Sequence, residues 1–147
     1  MSYFWVALLI FAALSPLIAM RPSKRQLRIA RLREAAALNG LYVELKSMPT
    51  ANSPTAHVAY YACRRQRADG PGTQAGLSMY AREEDGWRAL RGAWPARNVA
   101  LLSQLPASIS LVCEDVAGVG VFWDESGSVE DLEPIADTLR GLLGRVS

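Results

Sequence analysis

Few residues in this chain are of types that do chemistry, and their spacing is uninformative. His57 is the only histidine, and Cys63 and Cys113 are the only cysteines. His57, Cys63 and Cys113 would have to converge from three distant positions to hold a metal, and neither cysteine has a CxxC partner, so no metal is expected. His57 has no serine or cysteine motif beside it that declares a nucleophile. The sequence holds no Gly-x-Ser-x-Gly elbow, no phosphate-binding Walker loop and no His-Glu-x-x-His. His57 therefore reads as a structural or surface residue. Gly118-Val119-Gly120 is a fragment of a dinucleotide loop, but no helix follows it directly, so no cofactor is expected. The carboxylates Glu83, Glu84 and Asp85, and the pair Asp124 and Glu125, fall at turns, where solvated acids are the rule. Arg64, Arg65 and Arg67 crowd a glycine-containing turn that could take an anion or simply face water. Trp87, Trp94 and Trp123 read as core residues; several exposed together would make an interaction patch. These negatives favour a non-enzymatic chain.

The elements that must carry these residues are easier to read. The chain has 147 residues, half of them hydrophobic and a fifth charged. That composition excludes a disordered chain, a collagen-like repeat and a membrane protein of many spans. The net charge of +2 is unevenly placed. Residues 21–34 carry six cations (Arg21, Lys24, Arg25, Arg28, Arg31 and Arg33) against Glu34 alone, a net of +5. The rest holds ten basic and thirteen acidic residues, a net of −3. A basic collar is thus joined to a mildly acidic domain, which points to a charged surface as partner.

What precedes the collar sets the expectation. Residues 3–20 contain no charge. Eighteen residues make about 27 Å of helix, close to a hydrocarbon core of roughly 30 Å. Tyr3 and Trp5 stand at one end, as interfacial aromatics do, and Pro16 near the other. Residues 1–20 therefore read as a transmembrane anchor. A cleaved secretory signal fits less well: no basic residue precedes the apolar run, and Leu17 and Pro16 spoil the candidate cleavage sites. All nearby cations follow the run, so the positive-inside rule puts the N-terminus outside and residues 21–147 in the cytoplasm of a bacterium, as a single-pass inner-membrane protein. Arg21, Lys24, Arg25 and Arg28 are then the residues to meet anionic head groups, at about 1 kcal/mol each near the surface. In a reducing compartment Cys63 and Cys113 are small buried side chains; in a periplasmic domain a Cys63–Cys113 disulfide becomes plausible.

Beyond the anchor the chain reads as α+β. A basic juxtamembrane region, residues 21–40, holds a helix over 23–38 with Ser23 as cap and Asn39-Gly40 as stop. Residues 41–147 form one small domain. Alternation marks a strand around Leu41, Val43 and Leu45, a loop over 48–55, and a second strand over 57–64 with Val58, Tyr60 and Ala62 on one side. Leu77, Met79 and Ala81 begin a third strand, and the turn at 83–86 leads to a fourth at 87–91. These four predict an antiparallel meander. Pro95 and Pro106 bracket a short helix over 96–105. Strands follow at 109–113 and 119–123. Ser128 and Asp131 form a capping box for a last helix to about Gly144, whose apolar stripe runs from Leu132 and Ile135 to Val146. The predicted fold is a mainly antiparallel sheet with two helices packed on one face, after the transmembrane and basic helices.

The junction Ile18-Ala19-Met20-Arg21-Pro22-Ser23-Lys24-Arg25-Gln26 resembles the YajC family, small accessory subunits of the bacterial Sec translocase with one span followed by Arg-Pro and Lys-Arg. The whole chain is similar to short single-span inner-membrane proteins of pseudomonad-type bacteria, some of them labelled YajC-like. The resemblance implies an accessory role beside a membrane-protein complex and reaches no residue beyond Arg21, Pro22, Lys24 and Arg25. After Gly40 the chain departs from that family's pattern. The expectation is an interaction or accessory module whose partners are an anionic bilayer and a membrane protein, with no nucleic acid. The alternative is a membrane-tethered enzyme or small-ligand sensor, with His57 and the 64–67 turn near a pocket.

Overall fold

Apolar strands and one strongly amphipathic helix dominate the sequence after residue 40, and they define the architecture in a computed structural model that describes residues 2–49, 57–66 and 76–144. The elements are α1 (Ser2–Ala19), α2 (Lys24–Leu38), β1 (Tyr42–Ser47), β2 (His57–Arg64), β3 (Ser78–Glu83), β4 (Gly86–Arg91), α3 (Ala96–Leu101), β5 (Ile109–Asp115), β6 (Gly118–Trp123) and α4 (Leu132–Leu142), with 3₁₀ turns at Leu102–Gln104 and Val129–Asp131. The chain forms two compact units, Met1–Ala30 and Arg31–Ser147, divided within α2. Most of the predicted 48–55 loop, Arg67 and Val146 lie outside the described residues.

The N-terminal unit corrects the main expectation. Among the described residues no helix is long and apolar enough to cross a membrane. The helix α1 has 18 residues, with Ser15 and Pro16 in its final turns. At about 27 Å it is at the lower limit for a hydrocarbon core of roughly 30 Å, and Ser15 and Pro16 bring polarity and a missing N–H into its last turns. The reading of residues 1–20 as a transmembrane anchor, and of the chain as a single-pass membrane protein, is overturned. Positive-inside bias orients spans, so without one the cations carry no orientation signal. What remains is an apolar helix open to its surroundings, with Phe4, Leu9, Phe11, Leu17 and Ile18 all more than half exposed.

In the larger unit the α+β expectation holds. The six strands form one antiparallel sheet in the order β1-β2-β6-β5-β3-β4. The predicted four-strand meander does not form. The β5–β6 hairpin inserts between β2 and β3, and its apolar β6 suits the interior of the sheet: every residue of β6 is buried, and β5 buries Ile109, Leu111 and Val112. The charged strands go to the edges, where side chains reach water: Glu44 and Lys46 on β1, Arg88 and Arg91 on β4. A register irregularity at Met79 and Tyr80 further distorts the β4 edge.

Alternation along the strands separates two cores. One contains Ala59, Tyr61, Cys63, Tyr80, Val112, Val119, Val121 and Trp123 under Leu132, Ile135, Ala136 and Leu139 of α4 and Leu102 of the turn after α3. Leu32 and Ala36 of α2 join it, so three helical segments serve this face instead of the expected two. The other face carries Tyr60, Ala62, Met79, Leu111 and Phe122. The capping box that opens the last helix is formed, with Ser128 N–H donating to Asp131 Oδ2 over 2.9 Å. Arg82 ties the β5 approach to the sheet: its guanidinium donates to the carbonyls of Leu105, Pro106 and Ile109 at 2.9–3.0 Å and lies over the Trp87 ring.

The strand order also decides the cysteines. Cys63 on β2 belongs to the helix-covered core and Cys113 on β5 packs against the opposite one. The strand β6 lies between them, so they are two strand spacings apart, about 9.5 Å. A disulfide needs Cα atoms within about 7 Å and converging Cβ vectors. Both cysteines are free, and the Cys63–Cys113 pairing considered for a periplasmic domain is excluded by the register.

The tyrosines give the fold a measurable alkaline limit. Burial pushes the Tyr60 and Tyr61 phenols far above their ordinary value, aided at Tyr61 by its hydrogen bond to Glu125. Phenols held neutral in the fold but free to ionise in the unfolded chain contribute stability that is intact below about pH 10 and lost as pH rises beyond it. The melting temperature should therefore fall steeply above pH 10. The tyrosinate absorbance of these two rings should appear only with unfolding. A Tyr60→Phe variant should show a shallower fall over the same range; an unchanged slope would count against the assignment.

Candidate functional site

Three constellations merit a functional reading, and each is set by a different element. The first is the elbow between α1 and α2. Ser23 ends the non-helical link and caps α2: its Oγ accepts from Gln26 N–H at 3.2 Å, while Ser23 N–H donates to Gln26 Oε1 at 2.8 Å. The predicted surface-binding residues Arg21, Lys24, Arg25 and Arg28 are all exposed around this cap. Among the described residues Arg21, Lys24 and Arg25 have no ion-pair or hydrogen-bond partner. The first acidic residue in the chain is Glu34, so these three have no acid close by in sequence. Met20, Arg21, Pro22, Gln26, Leu27 and Ala30 line an open recess of about 670 Å³.

The second is the basic turn after β2. Arg64 ends the strand and lies 4.9 Å from the Tyr42 ring centre, exposed. Arg65 leaves the other way. Its guanidinium is drawn to the Glu114 carboxylate, which also accepts from the indole N–H of Trp94. Trp94 in turn stacks on Tyr80 at 4.6 Å, and its backbone N–H donates to the Tyr80 hydroxyl at 2.8 Å. Successive strand residues face opposite sides of a sheet, so Arg64 and Arg65 diverge. Arg67, the third arginine of the predicted anion-binding turn, lies outside the described residues. His57 sits exposed at the far end of β2, opposite Ser47. Seven residue steps, about 24 Å of strand, separate it from Arg64. The pairing of His57 with this turn, on which the enzyme or sensor alternative rested, is not formed.

The third constellation was not legible in the sequence. Glu125 is a buried carboxylate with positive φ (59°), the only such non-glycine residue among those described. Arg33 holds it bidentately, Nε to Oε1 at 2.8 Å and Nη2 to Oε2 at 3.1 Å. The Tyr61 hydroxyl donates to Oε1 at 2.7 Å. Hydrogen bonding to Glu125 raises the Arg33 guanidinium above its already high ordinary value. Tyr61 is also edge-on to Trp123, whose indole N–H reaches Ser108 Oγ at 3.0 Å. Within this group the Glu125 carboxylate and the Tyr61 hydroxyl are buried and committed to each other and to Arg33. The group acts as a lock between α2, the sheet and the turn after β6. Arg33 and Glu125 are 92 residues apart, and each looked like one more surface charge.

Gly118-Val119-Gly120 proves to be a strand. Gly118 presses on the β2 backbone, where a Cβ would meet Cys63 O at 2.1 Å, and Gly120 lies under the Tyr60 ring. Both glycines are there for packing, not for phosphate approach. No group of three or more His, Cys, Asp or Glu side chains able to hold a metal occurs among the described residues. Trp123 is buried, while Trp87 and Trp94 are half-buried and hydrogen-bonded, so the three do not form an exposed patch.

The fold and these constellations define an α+β domain and an apolar N-terminal helix followed by exposed cations. No family model matches the chain, and neither a curated protein nor a solved structure matches it.

Proposed function

We propose that this protein is an interaction module, brought by its N-terminal unit to an anionic lipid surface where its α+β domain serves a membrane-protein complex. One observation carries the reading: α1 exposes apolar side chains around its whole circumference and is followed at once by Arg21, Lys24 and Arg25, which have no partners among the described residues. Apolar surface of that extent favours leaving water, and free cations favour an anionic border. The reading keeps the helix at the lipid surface and does not take it across. The resemblance of residues 18–26 to translocase accessory subunits makes a protein-export complex the first partner to test.

The full chain should float with vesicles of phosphatidylglycerol and sink with phosphatidylcholine alone. A variant with Arg21, Lys24, Arg25 and Arg28 all changed to serine should lose affinity. At about 1 kcal/mol per cation, reduced by screening, the loss is on the order of a hundred-fold at low salt and shrinks as salt rises. Equal flotation of the native chain with both lipids, or no flotation at all, would defeat the reading.

A further inference from the structure

We propose that the elbow recess is a headgroup site that takes the phosphodiester of a single anionic phospholipid, a proposal resting on the surface reading above. The recess pairs two chemistries in one place. Arg21 supplies a guanidinium with no partner among the described residues, and Gln26 stands beside it with its side-chain oxygen committed to the α2 cap. Met20, Leu27 and Ala30 supply an apolar wall. A planar guanidinium matches a phosphate with two parallel hydrogen bonds, which an ammonium cannot do. An apolar wall next to it accommodates the glycerol and first methylenes of an acyl chain. Charge complementarity selects the occupant: Lys24 and Arg25 lie in the sequence between the lining residues Pro22 and Gln26, no acid lies within residues 1–33, and a choline headgroup would be repelled. The cap fixes the start of α2 and so holds Gln26, Leu27 and Ala30 in place on one helical turn.

The test uses the full chain and dihexanoyl phosphatidylglycerol below its micelle concentration, followed by NMR of the Arg21 side-chain Nε–H and the Gln26 amide. Saturable shifts at these two groups are expected, at least ten-fold tighter than with dihexanoyl phosphatidylcholine or with inorganic phosphate. Arg21→Lys keeps the charge and should still lose most of that affinity. Ala30→Phe fills the recess without touching a charge and should abolish saturable binding while leaving vesicle flotation intact. Equal binding of the two lipids, or native-like binding by Ala30→Phe, would overturn the site while leaving the surface reading standing. Failure of the native chain to float with anionic vesicles defeats that reading instead.

Discussion

A chain carrying Gly120→Val should be among the least stable single variants of this protein, losing about 3 kcal/mol or more. Gly120 sits in the middle of β6, opposite Ala62 of β2. A Cβ there would come within 2.4 Å of Tyr60 Cζ and 2.6 Å of Ala62 Cβ. The Tyr60 ring crosses the space that the missing side chain leaves. It meets Phe122 at 4.9 Å, its hydroxyl reaches the Cys113 carbonyl at 3.4 Å, and Lys46 Nζ lies 4.4 Å from its centre. Aromatic cover of a strand glycine is a known device for setting register. A valine must therefore displace the ring or the neighbouring strand. The check is a double-mutant cycle by urea unfolding. Tyr60→Leu costs stability alone, but Gly120→Ala should cost much less in that background than in the native one. Additive effects would mean the ring and the glycine do not share the space.

Loss of the Glu125 carboxylate should have the next largest effect. Glu125→Ala leaves the Tyr61 hydroxyl buried without its acceptor and strips Arg33 of its partner. Breaking a buried pair costs about 3–5 kcal/mol. Arg33 is 39% exposed and water compensates in part, so about 2–3 kcal/mol is expected here. In a chain of this size that is a fall in melting temperature on the order of 5–12 °C. The backbone sharpens the test. A left-handed conformation costs a non-glycine residue about 1–2 kcal/mol. Glu125→Gly should therefore be more stable than Glu125→Ala by about 1 kcal/mol, the reverse of the usual order. If alanine is the better replacement, the positive φ at 125 is not borne by the folded protein.

Both predictions fall on residues that looked ordinary in the sequence, and the reason is physical. Periodicity is a local property, so the strands, the Ser23 and Ser128 caps, the short helix bracketed by Pro95 and Pro106 and the apolar face of α4 could be placed from it. Strand order is not local. The four-strand meander assumed that neighbours in sequence are neighbours in the sheet, whereas the β5–β6 hairpin takes the centre, with every residue of β6 buried. That insertion decided the rest: it put Cys63 and Cys113 on opposite faces, slid Gly120 under Tyr60, and carried Glu125 to Arg33.

The N-terminal region divides in the same way. Its order of residues is enough to establish an uncharged apolar stretch followed by cations with no acid before Glu34. Whether that stretch crosses a bilayer depends on the length and apolarity of the regular helix it forms, and among the described residues no helix is long and apolar enough. The charge and its sign were written in the composition, because they need no partner. Which cations are free and which are committed was settled only in three dimensions, because an ion pair requires two chains of atoms to meet, and Arg33 met its acid 92 residues away.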